Sequence, residues 1–347
     1  MTSTLARTAN TLELPEAVLA APHDFRVLTG DRPTGTLHVG HYFGSLQNRV
    51  RLQNQGVDMF VLVADYQVIT DRDVADDVAA HVEGLVLDYL AVGLTPERST
   101  IFAHSAVPAL NQLLLPFLSL VSVAELQRNP TVKEEIAASG RRAVSGLMLT
   151  YPVHQAADIL SCHANLVPVG EDQLPHLEVA RTVARRFNAR YGPLFAEPRA
   201  LLSQAPRLLG ADARKMGKSS GNSIPLAADA DETARLLKAA VTDAEPRVQY
   251  DPDSRPGVSN LLLLTALCTG RDPHEVAEEI GDRGAATLKR LATEAVNEYF
   301  APIRRRRREF AADPAQVRQI LRDGAARVNE TADATLRQVR RAMGAPM

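Results

Sequence analysis

The chain has 347 residues, 45% hydrophobic and 23% charged, with a formal net charge of −2, which is the make-up of an ordinary globular protein. That length allows two domains or one domain with an appendage, and no apolar run is long enough to cross a bilayer, so no membrane role is expected. Two cysteines, Cys162 and Cys268, with no CxxC pair argue against a disulfide framework or a structural zinc site; they suit a reducing cytoplasm, and no metal site is expected.

Residues 1–23 carry Arg7 as their only strong base, and their apolar piece, 17–21, is too short for a secretory core; they read as an N-terminal extension. From residue 24 the pattern alternates strands and helices in the manner of a parallel α/β sheet. A short apolar-rich run, 25–29, stops at Gly30, and a loop with Pro33 and Gly35 follows. A helix pattern then covers 37–54. The run DMFVLVAD at 58–65 is almost continuously apolar, as in a strand buried on both faces. Asp71 and Asp73 are candidate caps for the helix that runs to Val92. Further strands are expected at 100–103 and 165–169, with a helical insertion over 108–140 between the halves of the sheet. Residues 206–224, rich in Gly, Lys and Ser, read as a mobile loop and a domain boundary. Beyond them the pattern is helical to the end, giving an extension (1–23), a sheet domain (24–221) and a helical domain (222–347).

The small net charge hides an asymmetry. Residues 222–282 hold five Lys and Arg against twelve Asp and Glu, whereas the chain from Arg283 onward holds fourteen against seven. Arg304 to Arg308 form an unbroken basic run, either a solvated helix face or a surface that attracts phosphate.

Two short motifs carry most of the chemistry. His38-Val39-Gly40-His41 opens a predicted helix, and its two imidazoles, three apart, share one face where free N–H groups and the helix dipole already favour anions. Gly40 leaves room for a flat base or a ribose to approach the backbone. The preceding Arg32-Pro33-Thr34-Gly35 loop brings a guanidinium to the same place. Lys215-Met216-Gly217-Lys218-Ser219 puts two lysines three apart in a Gly/Ser-rich loop, a clamp able to close on a triphosphate, with Arg214 adjacent. On the helix that includes Met148 to Leu160, Tyr151, Gln155 and Asp158 fall at spacings of four and three, so three polar groups line one face of an otherwise apolar helix. That is costly unless they bind something or pair with one another. Gly170-Glu171-Asp172 follows a strand and opens a helix, at the sheet end where nucleotides bind in α/β folds. His81, His104, His176 and His274 read as packing or surface histidines, and Cys162-His163 lacks further ligands at metal spacing.

HVGH followed by KMGKS resembles the paired signatures of class I aminoacyl-tRNA synthetases. The segments TGDRPTGTLHVGHYFGSL (29–46), TYPVHQAADIL (150–160), VPVGEDQ (167–173), RFNARYG (186–192) and PGVSNLL (256–262) are similar to the tryptophanyl members, over roughly residues 25–340. The resemblance implies a Rossmann-like parallel-sheet catalytic domain with an all-helical anticodon-binding domain behind it. It implies tryptophan–tRNA ligase activity, with ATP as substrate, Mg²⁺ carried on the triphosphate, L-tryptophan and tRNA(Trp) as partners, and a homodimer. His38, His41, Lys215 and Lys218 would be catalytic. Arg32, Pro33, Thr34, Gly40, Lys133, Gly170, Glu171, Asp172, Leu208, Met216, Gly217 and Ser219 would join them around ATP. Asp158 would accept the indole N–H, with Gln155, Tyr151, Gln173 and Gln67 around the amino acid. The chain departs from many bacterial members at Gln67, which stands where they have histidine, at Gln155, where they have methionine, and at Gly217, where serine is usual. The Tyr-x3-Gln-x2-Asp pattern also occurs in tyrosyl members, so a tyrosine–tRNA ligase is the alternative.

Overall fold

The computed structural model describes residues 15–70, 77–139, 144–202, 208–217 and 221–345. Five parallel strands form the central sheet: β1 (Arg26–Asp31), β2 (Asp58–Val63), β3 (Ser99–Ala103), β4 (Leu166–Val169) and β5 (Arg199–Leu202). Their order is β3-β2-β1-β4-β5, so the chain winds outward from β1 to β3 and then returns to the other side of β1. Six residue pairs register β1 against β2, but only Val27 opposite Leu166 registers β1 against β4. The order reverses between β1 and β4, and such a point leaves a crevice beyond the carboxyl ends of the two strands.

The nearly continuous apolar run at β2 serves both faces of the sheet, because successive side chains point to opposite sides. Val61 and Val63, with Ile101 and Ala103 of β3, belong to a core that extends into the C-terminal helices through Leu261, Leu288, Phe300 and Ile320. Phe60, Leu62 and Phe102 face the opposite core, with Leu113 and Phe117, then Val153 and Leu160, and Leu177 and Phe187. The sheet and the helical region therefore share one continuous core. The last helix, Pro314–Ala342, lies along edge strand β3. A Cβ at Gly324 would stand 1.8 Å from the Ile101 carbonyl oxygen, so only glycine permits this approach. The helix thereby covers an edge that would otherwise expose unpaired backbone groups.

The expected strands near 25–29, 58–65, 100–103 and 165–169 are present, and β5 is an addition. The helical stretch expected over 37–54 runs as Val39–His41, a π-helical turn Tyr42–Leu46, and Gln47–Asn54. Three helices, Pro108–Leu118, Val123–Arg128 and Pro130–Ser139, fill the expected insertion. The candidate caps Asp71 and Asp73 lie outside the described residues; the helix Val78–Val92 is capped by Asp77, whose carboxylate accepts from the Ala80 N–H.

Three of the five arginines in the run are drawn into the fold, while Arg305 and Arg308 remain exposed. Arg304 is buried and donates to Asn297 and Thr233, Arg306 donates to the Ala91 carbonyl, and Arg307 pairs with buried Asp88 at 2.7 Å. Asp88 also accepts from the Leu37 N–H at 3.2 Å, so the C-terminal helix Gly284–Ala311 is tied to the residue just before His38. Among the described residues no helix is long and apolar enough to cross a membrane.

Candidate active site

A cavity of about 650 Å³ opens at the switch point between β1 and β4. Its walls come from the ends of those two strands, from the loop and helix start after β1, from the helix Gly146–Ser161 and from Met216 and Gly217.

At one end stand the two histidines of the first motif. His38 has extended backbone and precedes the helix, and its N–H donates to His41 Nδ1 at 3.2 Å. The two ring centroids are 3.7 Å apart, so the imidazoles form one unit at the start of a helical segment. The segment 224–226 fixes this place from outside: the Val39 N–H donates to the Ile224 carbonyl and the Leu226 N–H to the Leu37 carbonyl. The lysine motif arrives through the same neighbourhood. A Cβ at Gly40 would meet the His38 ring at 3.0 Å and Met216 Sδ at 3.1 Å, so the room at Gly40 is used by Met216. Asn222 folds the described part of that loop. Its side chain accepts from the Gly217 N–H and donates to the Asp212 carboxylate and the Lys215 carbonyl. Two motifs far apart in the chain thus meet, and Arg32 and Thr34 line the same end.

The other end is built from side chains. Tyr151, Gln155 and Asp158 all line the cavity, as their spacing on one helix face requires. The Tyr151 hydroxyl and His176 Nε2 share a hydrogen bond of 2.9 Å. Burial, and next the hydrogen bond to Glu135, raise the Tyr151 pKa and keep its hydroxyl protonated. Burial pushes the His176 pKa down to about 4. Asp158, 3% exposed, accepts from His104 Nε2 at 2.9 Å through Oδ2, while its buried Oδ1 has no partner. Burial works against a charged His104, but the Asp158 carboxylate and its hydrogen bond outweigh it and raise the pKa. Gln67 donates to His154 Nδ1 at 3.2 Å, and burial lowers the pKa of His154. His104, His154 and Asp158 each offer a ligand atom within 4.8 Å of the others, a set whose composition suits a metal ion. A cation there would have to replace the proton shared by His104 and Asp158.

Most of the residues singled out in the sequence meet here. Gly170, Asp172 and Gln173 line the cavity beside β4, and Gln67 lines it beyond β2. Lys133, Lys215 and Glu171 are exposed and outside the lining, and Pro33 is buried and outside it too. Leu208 is buried in the core of the sheet rather than in the cavity wall. Lys218 and Ser219 lie outside the described residues. His104 and His176 correct the reading of them as packing histidines, because each is hydrogen-bonded to a cavity residue. A signal existed for His104: it immediately follows the expected strand at 100–103, at the carboxyl end where α/β sheets place ligand-binding groups. His176 had none, since its partner lies on another helix.

A family model described as tRNA synthetases class I (W and Y) matches residues 21–301. The tryptophan–tRNA ligase of Clostridium longisporum is 40% identical over 328 residues, spanning 92% of this chain and 96% of that protein. The one from Streptococcus pneumoniae is 42% identical over 333 residues, spanning 92% and 97%. The solved tryptophanyl-tRNA synthetase of Campylobacter jejuni, complexed with ADP and tryptophan, matches with a TM-score of 0.81 at 27% identity, over 92% of this chain and 100% of that one. A tyrosyl-tRNA synthetase from Archaeoglobus fulgidus matches at 0.65 and 21% identity, a likeness of fold alone. The family model spans both amino-acid specificities, but the relatives similar over nearly the full length are tryptophan enzymes, and the chain belongs to the tryptophanyl-tRNA synthetase family of class I.

Proposed function

We propose that this chain activates L-tryptophan with ATP, forming tryptophanyl-adenylate and pyrophosphate, and then transfers tryptophan to tRNA(Trp). The observation that carries this reading is Asp158, a buried carboxylate with one unpartnered oxygen, in the same cavity as the His38–His41 pair. An indole N–H supplies the missing donor, and a charge-assisted bond of this kind is worth about 1.5–3 kcal/mol.

The tryptophan carboxylate attacks the α-phosphate of ATP, so no covalent enzyme intermediate is needed and catalysis is positioning with charge stabilisation. His38, His41 and Arg32 supply donors at the phosphate end. Gly170, Glu171 and Asp172 face the adenosine, with Pro33, Thr34 and Leu208 nearby. Lys215 and Lys218, with Ser219 and the more distant Lys133, neutralise the departing pyrophosphate as the loop closes over it. Mg²⁺ enters as part of the substrate, on the triphosphate. The adenylate then acylates the terminal ribose of the tRNA, whose anticodon is read by the helical region beyond residue 222. The cytoplasm, where tRNA is charged, is the setting of this activity.

Amino-acid-dependent ATP–pyrophosphate exchange tests the reading. Exchange with tryptophan is expected to exceed exchange with tyrosine; the reverse order would make the chain a tyrosine enzyme, and no exchange in folded protein would make it a non-catalytic relative. We also propose a homodimer through the insertion 108–140, supported by Leu115 and Val123, which are 74% and 60% exposed. Light scattering should give twice the chain mass, and Leu115→Asp should weaken the dimer; a monomeric wild type would end this idea.

A further inference from the structure

Asp158 lines the cavity and His104 does not: His104 stands behind it, on the turn that follows β3. Both are buried, and their bond ties one carboxylate oxygen only. His104 is itself held in orientation. Its ring lies 4.7 Å from the His154 ring and 6.3 Å from the Tyr66 ring, nearly parallel to the latter. The turn that carries it is fastened at two places. Asp65 accepts from the Ser105 N–H at 3.1 Å and also from its hydroxyl, and Asn329 of the last helix donates to the Ala106 carbonyl at 2.9 Å.

A carboxylate with two unpaired oxygens in a buried site has no reason to present one of them rather than the other. A donor fixed on Oδ2 removes that ambiguity and leaves Oδ1 as the one oxygen to be satisfied.

We propose that His104 is a positioning residue for substrate selection, holding Asp158 through Oδ2 so that Oδ1 accepts only a ligand that brings a ring N–H. The selectivity of the amino-acid end is then a property of a pair. A heteroaromatic amino acid of the same shape with no N–H leaves Oδ1 buried and unpaired, which is the strongest means a site has of rejecting an analogue. This inference rests on the tryptophan-activating function proposed above.

The test compares tryptophan with β-(3-benzothienyl)alanine, in which sulfur replaces the ring N–H, in ATP–pyrophosphate exchange by wild type, His104→Leu and His104→Gln. Leu removes the donor; Gln keeps an N–H able to reach Oδ2. In His104→Leu the preference for tryptophan over the analogue, as a ratio of kcat/KM, is expected to fall at least about tenfold. The fall should come from a higher KM for tryptophan, with KM for ATP and for the analogue little changed. His104→Gln should retain the preference to within about threefold. A purely structural role would lower exchange with both amino acids together. An unchanged preference in His104→Leu, or a lost one in folded His104→Gln, overturns the proposal, and the Gln variant decides alone if the Leu variant does not fold. Absence of tryptophan-dependent exchange in wild type would instead remove the underlying function, so the two failures are distinguishable.

Discussion

The two ends of the cavity are made in different ways. The end proposed to hold phosphate is a piece of backbone geometry: a helix start, two rings 3.7 Å apart, and a loop folded around Asn222 that brings Met216 against Gly40. The end proposed for the amino acid is a set of buried side chains from two helices and the turns after two strands, joined by the pairs Asp158–His104, Gln67–His154 and Tyr151–His176. A phosphate needs many donors and tolerates several arrangements of them, so a short local motif suffices. A flat apolar ring with one N–H needs an exact acceptor in a dry wall, and no single stretch of chain supplies that.

This division can be broken from either side. The largest effect is expected at the phosphate end: His41→Ala should lower kcat for pyrophosphate exchange by roughly 10²–10³, the cost of losing one aimed donor to developing charge. The dissociation constant for tryptophan, measured by equilibrium binding without ATP, should stay the same. A matching loss of tryptophan affinity would mean that the two ends act as one. The next effect belongs to the amino-acid end. Asp158→Asn keeps the shape but removes the charge from the acceptor, and should weaken tryptophan binding about 10- to 100-fold. Its KM for ATP should be unaffected, and a comparable rise there would contradict the separation.

The same contrast governs what could be read from the sequence. HVGH and KMGKS are contiguous, so each could be picked out as a motif before the fold was known. Tyr151, Gln155 and Asp158 were legible because helical periodicity places them on one face. His176 was not, because its partner comes from another helix and only the folded chain brings them together, and His104 offered only its place just after a strand. The arginine run was only partly legible for that reason too: composition records the charge of Arg307 but not that Asp88, on a distant helix, is waiting for it. In the fold, β1 to β4 show as apolar runs. β5 is short, with Arg199 and Leu202 exposed and only Leu201 buried, so it has no run to see. Asp77 escaped as a cap because it takes a left-handed backbone (φ 52°), which no pattern of hydrophobicity records.

The smallest effect concerns stability, and it separates the ends by pH. Burial, reinforced by Arg32 and opposed by Asp172, lowers the pKa of His176 to about 4, against 6.5 when unfolded. Between those values the unfolded chain binds the proton and the folded chain does not. The contribution of His176 is therefore complete above pH 6.5 and declines as the pH falls toward 4, by about 1.4 kcal/mol at pH 5.5. His104 has the opposite sign: its raised pKa stabilises the fold below pH 6.5, and that contribution is lost as the pH rises through the folded value. The two partly cancel in the wild type, so a flat pH profile of the wild type alone would say nothing about either. The informative quantity is the difference in unfolding free energy between wild type and His176→Gln, in which the His104 contribution drops out. In urea unfolding that difference should shift by about 1.2 kcal/mol against the wild type between pH 7 and pH 5.5. A constant difference would mean that His176 titrates normally and that this end of the cavity is wet.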